Sequence, residues 1–286
     1  MTTGRIALDL MPTDELLTML NDADRTVPDA VAAAKPAISR AVEAIAHRLS
    51  VGGRLIYVGA GTSGRLAALD AAECPPTFGV PHSLVQAVLA GGETAMWQAV
   101  EGAEDDRAAG AAAIDGLAVS RDDAVVGIAA SAATPFTVAA LSRARELGAL
   151  TVALGCRPDG DLYRAADIRI AVAVGDEVLR GSTRLRAGTA QKLVLNMIST
   201  AVMTRLGHVY DDLMVDVAVT NDKLRRRAVD IVAAVAGTSH DAAANALVAA
   251  GDSAKTAIVM LRLGIGRAAA EAALAKAGDR LRSVIG

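Results

Sequence analysis

The amino-acid sequence predicts an α/β protein with a five-stranded parallel sheet that is sandwiched by helices. Short apolar runs alternate with helix-forming segments between residues 54 and 173, as in repeated strand-helix-strand units. A glycine-rich turn follows the first apolar run, where such folds bind ligands. Hydrophobic residues make up 52% of the 286 residues, which is ample for a substantial core.

Helices are expected before the sheet. Thr13 is placed to cap a first helix, and Pro28 is placed to open a second one. Pro36 is expected to kink or split this second helix, because proline removes a backbone donor and its ring clashes with the preceding turn. The sequence therefore predicts an N-terminal helical part over residues 1–50.

Five buried strands are predicted in the central part of the chain, residues 51–221. They are 54–58, 84–89, 124–130, 150–154 and 168–173, with helices around 65–72, 95–114, 135–147 and 187–206. Short alanine-rich helical patterns follow in residues 222–286, with breaks at Gly237, Gly251 and Gly264-Gly266. These patterns predict a small helical C-terminal region.

Composition narrows the class of partner. Aromatic residues are 2% of the chain and the net charge is −3, which disfavours binding of nucleic acid. The sequence has no uninterrupted apolar run of about 18 residues, so no membrane span is expected. The two cysteines make a disulfide framework improbable. We therefore expect a cytoplasmic protein with a small-molecule ligand.

The turn after the first strand, Gly59-Ala60-Gly61-Thr62-Ser63-Gly64, predicts an anion site. Its glycines allow close approach of backbone N–H groups, and the hydroxyls of Thr62 and Ser63 add donors. The spacing also matches a dinucleotide-binding loop, but no acidic residue follows at the expected distance of about 20 positions. A sugar phosphate is favoured, and a dinucleotide remains the alternative.

A second hydroxyl-rich segment follows the third strand. Ser131 and Thr134 lie just before Pro135, where Thr134 could serve simply as a helix N-cap. If this segment adjoins the glycine-rich turn, the two could hold different faces of one phosphorylated sugar. A further anion site is predicted at the start of the helix over 187–206, where Arg186, Thr189 and Lys192 are weaker candidate ligands.

Two carboxylates and one cysteine are candidates for chemistry. Glu73 lies late in a helix, where the helix dipole disfavours negative charge, and this placement suggests a functional use. Glu104 has a plain alternative as a solvated acid in the first turn of a helix. Cys74 is expected to be a buried apolar residue rather than a nucleophile. The histidines and cysteines show no spacing typical of a metal site.

Several longer motifs resemble those of the N-acetylmuramic acid 6-phosphate etherase family. They are VGAGTSGRLAALDAAECPPTFG at 58–79, LAGGE at 89–93, VEGAEDD at 100–106, VVGIAAS at 125–131, GSTRLRAGTAQKLVLNMIST at 181–200 and LMVDV at 213–217. The resemblance covers most of the chain from about residue 12. It implies a sugar isomerase (SIS) domain and a homodimer with its active site near the subunit interface.

The resemblance also implies an activity and site residues. It implies a lyase that converts N-acetylmuramic acid 6-phosphate to N-acetylglucosamine 6-phosphate and D-lactate, with no metal or redox cofactor. Glu73 matches the family's acid and Glu104 its second carboxylate, which we assign as the base that removes the C2 proton. Gly61, Thr62, Ser63, Ser131 and Thr134 are expected to hold the substrate.

The eukaryotic glucokinase regulatory protein, which binds without catalysing a reaction, is a relative of this family. A sugar-phosphate sensor and an aldose-ketose sugar-phosphate isomerase therefore remain alternative functions. This sequence departs from the family in the loop after the third strand, where Ala132-Ala133 replaces a glycine-arginine pair. Loss of the arginine removes a donor beside the expected phosphate site.

Overall fold

Two long helices precede the sheet in the computed structural model, which describes residues 7–286. Helix α1 spans Thr13–Arg25 and helix α2 spans Val27–Ser50. Thr13 was predicted as the N-cap of α1, but Pro12 occupies that position and Thr13 is already helical. Helix α2 continues through Pro36 without a break. Residues 1–6 of the predicted N-terminal part lie outside the described residues.

The five predicted strands are present and form one parallel sheet. They are β1 (Leu55–Gly59), β2 (Val85–Leu89), β3 (Ala124–Ala129), β4 (Leu150–Gly155) and β5 (Ile168–Ala171). Their order in the sheet is β2-β1-β3-β4-β5, and every neighbouring pair is parallel. The strand order reverses between β1 and β3, and in open parallel sheets ligands bind beyond the carboxyl ends of the strands at such a point.

Five helices connect and follow the strands. They are α3 (Gly61–Phe78), α4 (Arg107–Gly116), α5 (Pro135–Glu146), α6 (Asp161–Arg164) and α7 (Arg186–Leu206). Helix α3 is longer than predicted at both ends, because it begins inside the glycine-rich turn and continues through Pro75 and Pro76. It ends where Gly79 adopts the left-handed conformation and donates a hydrogen bond to the carbonyl of Pro75.

The prediction of a single helix over 95–114 is wrong. A short 3₁₀ turn spans Glu93–Met96, and helix α4 begins only at Arg107. The start is set by Asp106, whose side chain accepts a hydrogen bond from the backbone N–H of Ala109. Glu104 consequently lies in an irregular segment before the helix, rather than in a first helical turn.

Helices cover both faces of the sheet, as predicted. Alternate residues of β1 point to opposite faces: Leu55 and Tyr57 pack in the core formed with α2, α3 and α7, whereas Ile56 and Val58 pack in the core formed with α4, α5 and α6. All four of these side chains are fully buried. The sheet is therefore the middle of three layers, and the loops that follow the strands lie at its carboxyl edge.

A third hydrophobic cluster lies in the C-terminal helical region. It is built by helices α8 (Asp222–Ala236), α9 (His240–Ala249), α10 (Ala254–Leu263), α11 (Arg267–Lys276) and α12 (Leu281–Ile285). The predicted breaks at Gly237, Gly251 and Gly264 are confirmed, since each follows a helix end with positive φ. The hairpin of β6 (Val209–Tyr210) and β7 (Leu213–Met214) leads into this region.

The division of the chain at residues 50/51 and 221/222 stays a prediction. Within residues 7–286, no helix is both long enough and apolar enough to cross a membrane.

Candidate active site

The amino end of helix α3 lies directly beyond strand β1. The strand ends at Gly59 and the helix begins at Gly61, so only Ala60 separates them. This close approach needs Gly64, because a Cβ there would lie 2.6 Å from the carbonyl oxygen of Gly59. Among residues 7–286, no side chain caps α3. The backbone N–H groups of its first turn are therefore available to an anion.

The two hydroxyl-rich segments predicted to hold a sugar phosphate adjoin in space. They line one cavity of about 380 Å³ at the carboxyl edge of β1 and β3. Six of the predicted site residues line it, namely Gly61, Thr62, Ser63, Glu104, Ser131 and Thr134. Thr183 and Asp105 also line it, so the cavity combines a helix N-terminus, five hydroxyl groups and two carboxylates.

The hydroxyl groups of this cavity differ in what they contact. Thr134 occupies the N-cap position of α5, as predicted, but its side chain makes no capping hydrogen bond. The Ser131 hydroxyl accepts a hydrogen bond of 3.2 Å from the backbone N–H of Ala133. The buried Ser63 hydroxyl lies 2.9 Å from Oε1 of Gln191. No local sequence pattern indicates the contact with Gln191, because this residue comes from α7, 128 residues further along the chain.

Glu104 is held at the rim of the cavity by its own backbone. Its carbonyl oxygen accepts a hydrogen bond of 3.0 Å from the N–H of Phe136, in the first turn of α5. The side chain of Glu104 is exposed and lines the cavity. This bond ties the segment that carries Glu104 to the loop that carries Thr134.

Glu73 lies outside this cavity. Its neighbours on α3 face inward: the buried carboxylate of Asp70 accepts hydrogen bonds from Tyr57, Asn196 and Ser199, and Cys74 is also buried. Glu73 is exposed on the outer side of the helix. It follows Gly61 by twelve residues, or about 18 Å along the helix axis at 1.5 Å per residue. Within the described residues, Glu73 therefore lines neither this cavity nor any other that Glu104 lines.

The amino end of α7, predicted as a second anion site, is filled by a carboxylate of the chain itself. The two oxygens of Glu177 accept hydrogen bonds of 3.0 Å from the backbone N–H groups of Arg186 and Ala187. The guanidinium of Arg186 donates to the carbonyl of Asp176 and to the hydroxyl of Thr26.

Thr189 and Lys192 lie in the first two turns of α7 and do not line the cavity. Lys192 is exposed, whereas Thr189 is half-buried. The roles of Arg186, Thr189 and Lys192 in substrate binding stay predictions.

Cys74 is a buried apolar residue, as predicted. Only 2% of its surface is exposed. Burial, with the nearby carboxylates of Asp70 and Glu73, raises the pKa of the Cys74 thiol to about 12. The thiol is therefore protonated at neutral pH and unsuited to nucleophilic attack. Residues 7–286 contain no group of three or more histidine, cysteine, aspartate or glutamate side chains that could hold a metal ion.

Two family models match the chain. The N-terminal SIS domain of glucokinase regulatory protein matches residues 37–145, and the SIS domain matches residues 108–201. An N-acetylmuramic acid 6-phosphate etherase of Cutibacterium acnes is 51% identical over 278 residues, which cover 97% of this chain and 91% of the relative. Another, from Symbiobacterium thermophilum, is 54% identical over 268 residues, covering 92% of this chain and 89% of the relative.

The chain belongs to the N-acetylmuramic acid 6-phosphate etherase family. The predicted SIS-type fold of this family member is also found in solved structures. A phosphoheptose isomerase from Francisella tularensis superposes with a TM-score of 0.54 at 20% identity, covering 68% of this chain and all of that one. The phosphoheptose isomerase of Neisseria gonorrhoeae superposes with a TM-score of 0.51 at 18% identity, covering 67% of this chain and 98% of that one. At these identities the similarity concerns the fold alone.

Proposed function

We propose that this protein is a carbon-oxygen lyase that cleaves the D-lactyl ether of N-acetylmuramic acid 6-phosphate. The products are N-acetylglucosamine 6-phosphate and D-lactate. The observation that carries this proposal is the identity of 51% to 54% with etherases over nearly the whole chain. The cavity adds support, because it holds hydroxyl groups, free helix N–H groups and a carboxylate in one place.

The phosphate of the substrate lies at the amino end of α3 in this proposal. The N–H groups of the first turn and the hydroxyl of Thr62 donate to its oxygens, and the helix dipole favours its negative charge. Ser131 and Thr134 approach the sugar phosphate from the α5 side of the cavity. Six-membered sugar rings open to an aldehyde at C1, which makes the C2 proton acidic.

Glu104 is the base that removes this C2 proton. Of the two proposed catalytic carboxylates, Glu104 lines the cavity and Glu73 does not. The electron pair left at C2 forms a C2–C3 double bond while the C3–O bond breaks. Glu73 gives its proton to the departing lactate oxygen. Water then adds at C3 and a proton returns to C2, so that the overall reaction consumes one water molecule per ether cleaved.

The separation of Glu73 from Glu104 within one chain supports a homodimer with shared active sites. Glu73 is exposed, and a general acid must be shielded from water or lie near negative charge to keep its proton at neutral pH. A second copy seated on the outer side of α3 supplies such a cover. In this arrangement the Glu73 of one subunit serves the cavity of the other. The cytoplasmic location expected from the sequence stays a prediction.

Release of D-lactate from N-acetylmuramic acid 6-phosphate tests the proposal. The wild type is expected to release D-lactate, and Glu73→Ala and Glu104→Ala are each expected to lower the rate by about 10²- to 10⁴-fold. Glu271→Ala, on the surface of α11, is the matched control. Exchange of the C2 hydrogen in deuterated water isolates the first step. Undiminished exchange in Glu104→Ala would rule out Glu104 as the C2 base.

One observation favours a second candidate function, a sugar-phosphate sensor without catalysis. Residues 37–145 match the N-terminal SIS domain of glucokinase regulatory protein. A sensor would bind N-acetylmuramic acid 6-phosphate without releasing D-lactate, so the same assay separates the two functions when binding is measured alongside. Interconversion of simple sugar phosphates without lactate release would instead indicate an isomerase.

A further inference from the structure

A second cavity adjoins the one that holds the proposed phosphate site. Its volume is about 260 Å³, and it lies under the irregular segment between β2 and α4. The two cavities share Ala60, Gly61 and Glu104 in their linings. A ligand that fills both therefore passes Glu104 at the junction. None of the site residues expected from the sequence lies only in this second cavity.

Arg65 is the basic residue in the lining of the second cavity. It follows Gly61 by one helical turn, so it projects from the same end of α3 as the phosphate site. Its Nε donates hydrogen bonds of 3.0 Å and 3.1 Å to the carbonyls of Ala95 and Met96. Among the described residues, its two terminal nitrogens have no hydrogen-bond partner. The side chain is thus held in place with its outer donors free.

Free terminal nitrogens on a fixed guanidinium suit a carboxylate. The planar guanidinium presents parallel N–H donors that match the two oxygens of a carboxyl group, and half-burial strengthens these bonds. The acidic residues of this cavity, Glu101 and Glu104, form no salt bridge with Arg65 in the part of the chain that is described. The positive charge of Arg65 is therefore available to a ligand.

The proposed substrate carries two anionic groups. One is the phosphate on C6, and the other is the carboxylate of the lactyl group, which is attached to C3 through the ether oxygen. C3 is bonded to C2, where Glu104 removes the proton. If the phosphate lies in the first cavity and C2 faces Glu104, the lactyl group extends into the second cavity, toward Arg65.

We propose that Arg65 binds the lactyl carboxylate of the substrate and thereby makes the site specific for 3-O-lactyl sugars. This inference rests on the proposed lyase function, because it takes the substrate from it. Arg65 holds the departing lactate during C3–O cleavage. It also distinguishes the substrate from N-acetylglucosamine 6-phosphate, which has a hydroxyl group at C3 and no carboxylate.

Binding in a chain that does not turn over tests this assignment. Glu104→Gln is used as the background, and Arg65→Gln is added because glutamine keeps an N–H donor for the carbonyls of Ala95 and Met96 while removing the charge. The ligands are N-acetylmuramic acid 6-phosphate, its lactyl amide and N-acetylglucosamine 6-phosphate. Calorimetry measures the three dissociation constants. Arg164→Gln, an exposed surface substitution, is the matched control.

We expect Arg65→Gln to weaken binding of N-acetylmuramic acid 6-phosphate by about tenfold or more, the value of a charge-assisted hydrogen bond to a carboxylate. Binding of the lactyl amide and of N-acetylglucosamine 6-phosphate should change less than about twofold. Equal weakening of all three ligands would overturn the proposal, because it would show that Arg65 only supports the segment at Ala95. Unchanged binding of all three would overturn it as well.

The lyase function fails separately from this inference. Suppose that the wild type releases no D-lactate but binds the lactyl acid more tightly than its amide, and that Arg65→Gln abolishes this preference. The carboxylate subsite would then be supported and the lyase function refuted. If the wild type releases D-lactate but binds the lactyl acid and its amide equally well, the lyase function would be supported and the carboxylate subsite refuted.

Discussion

Mixing two inactive variants tests whether each active site is shared between two subunits. The variants are Glu73→Ala and Glu104→Ala, each of which removes one of the two proposed catalytic carboxylates. In the structure, Glu73 lies twelve residues beyond Gly61 on α3, about 18 Å along the helix from the end that lines the cavity with Glu104. It is also turned outward and exposed. We therefore expect a site that uses both carboxylates to include a second chain.

The expected magnitude follows from the symmetry of a dimer. A mixed dimer has one site with both carboxylates intact and one site with neither. Random assortment of equal amounts makes about half of the dimers mixed, so the mixture should recover about a quarter of wild-type activity. If both glutamates of a site came from the same chain, every site in the mixture would lack one of them. Activity would then stay at the background of the single variants.

The assay is D-lactate release by chains co-expressed with two different affinity tags and purified through both. Mixed dimers isolated in this way should show about half of the wild-type rate. A chain carrying both substitutions, mixed equally with wild type, is the inverse control. Shared sites leave about a quarter of the activity in that mixture, whereas unshared sites leave about half. Background activity in the purified mixed dimer would refute the shared site.

Three further predictions concern the scaffold. Cys74, with its thiol pKa raised to about 12, should react with iodoacetamide at pH 8 at least about a hundredfold more slowly in the native protein than after denaturation, as followed by mass spectrometry. Burial raises the pKa of the Asp123 carboxyl, but hydrogen bonds from Arg54 and from the Ser120 backbone outweigh it, so the folded pKa lies below its usual value. This stabilisation is complete above the unfolded pKa of about 3.9 and is lost as the pH falls through the folded pKa. Asp123→Asn should therefore be less stable than wild type at pH 7, and the difference should shrink in urea unfolding at pH 3; a constant difference would contradict this. Gly64→Ala places a Cβ 2.6 Å from the carbonyl oxygen of Gly59. The free energy of unfolding, measured with urea, should therefore fall by roughly 1–3 kcal/mol. D-lactate release should fall as well, because α3 moves away from β1.

The strands and the phosphate cavity could be predicted because both depend on local patterns. Short apolar runs that alternate with helical segments specify buried parallel strands, and all five predicted strands lie within two residues of the observed ends. Thr62 and Thr134 lie in the first few residues after the ends of strands β1 and β3. Parallel strands bring their carboxyl ends to one edge, so these two loops meet once the strands are neighbours.

Other features depend on contacts between residues far apart in the chain. The start of α3 at Gly61 and its continuation through Pro75 and Pro76 were missed because packing against β1 and α7 outweighs local helix preferences. Gln191 reaches Ser63 only because α7 packs beside α3. The carboxylate of Glu177 fills the amino end of α7, which the sequence pattern alone had presented as an open anion site.

The sequence by itself determined the fold class, the family and the residues at the carboxyl ends of β1 and β3. Strand periodicity and motif spacing are local properties of a chain, so they can be recognised from the sequence alone. Only the tertiary structure decided which of these residues face one another. It placed Glu104 and Arg65 at one pair of cavities and turned Glu73 outward, because the direction of a side chain on a helix depends on which face the helix buries.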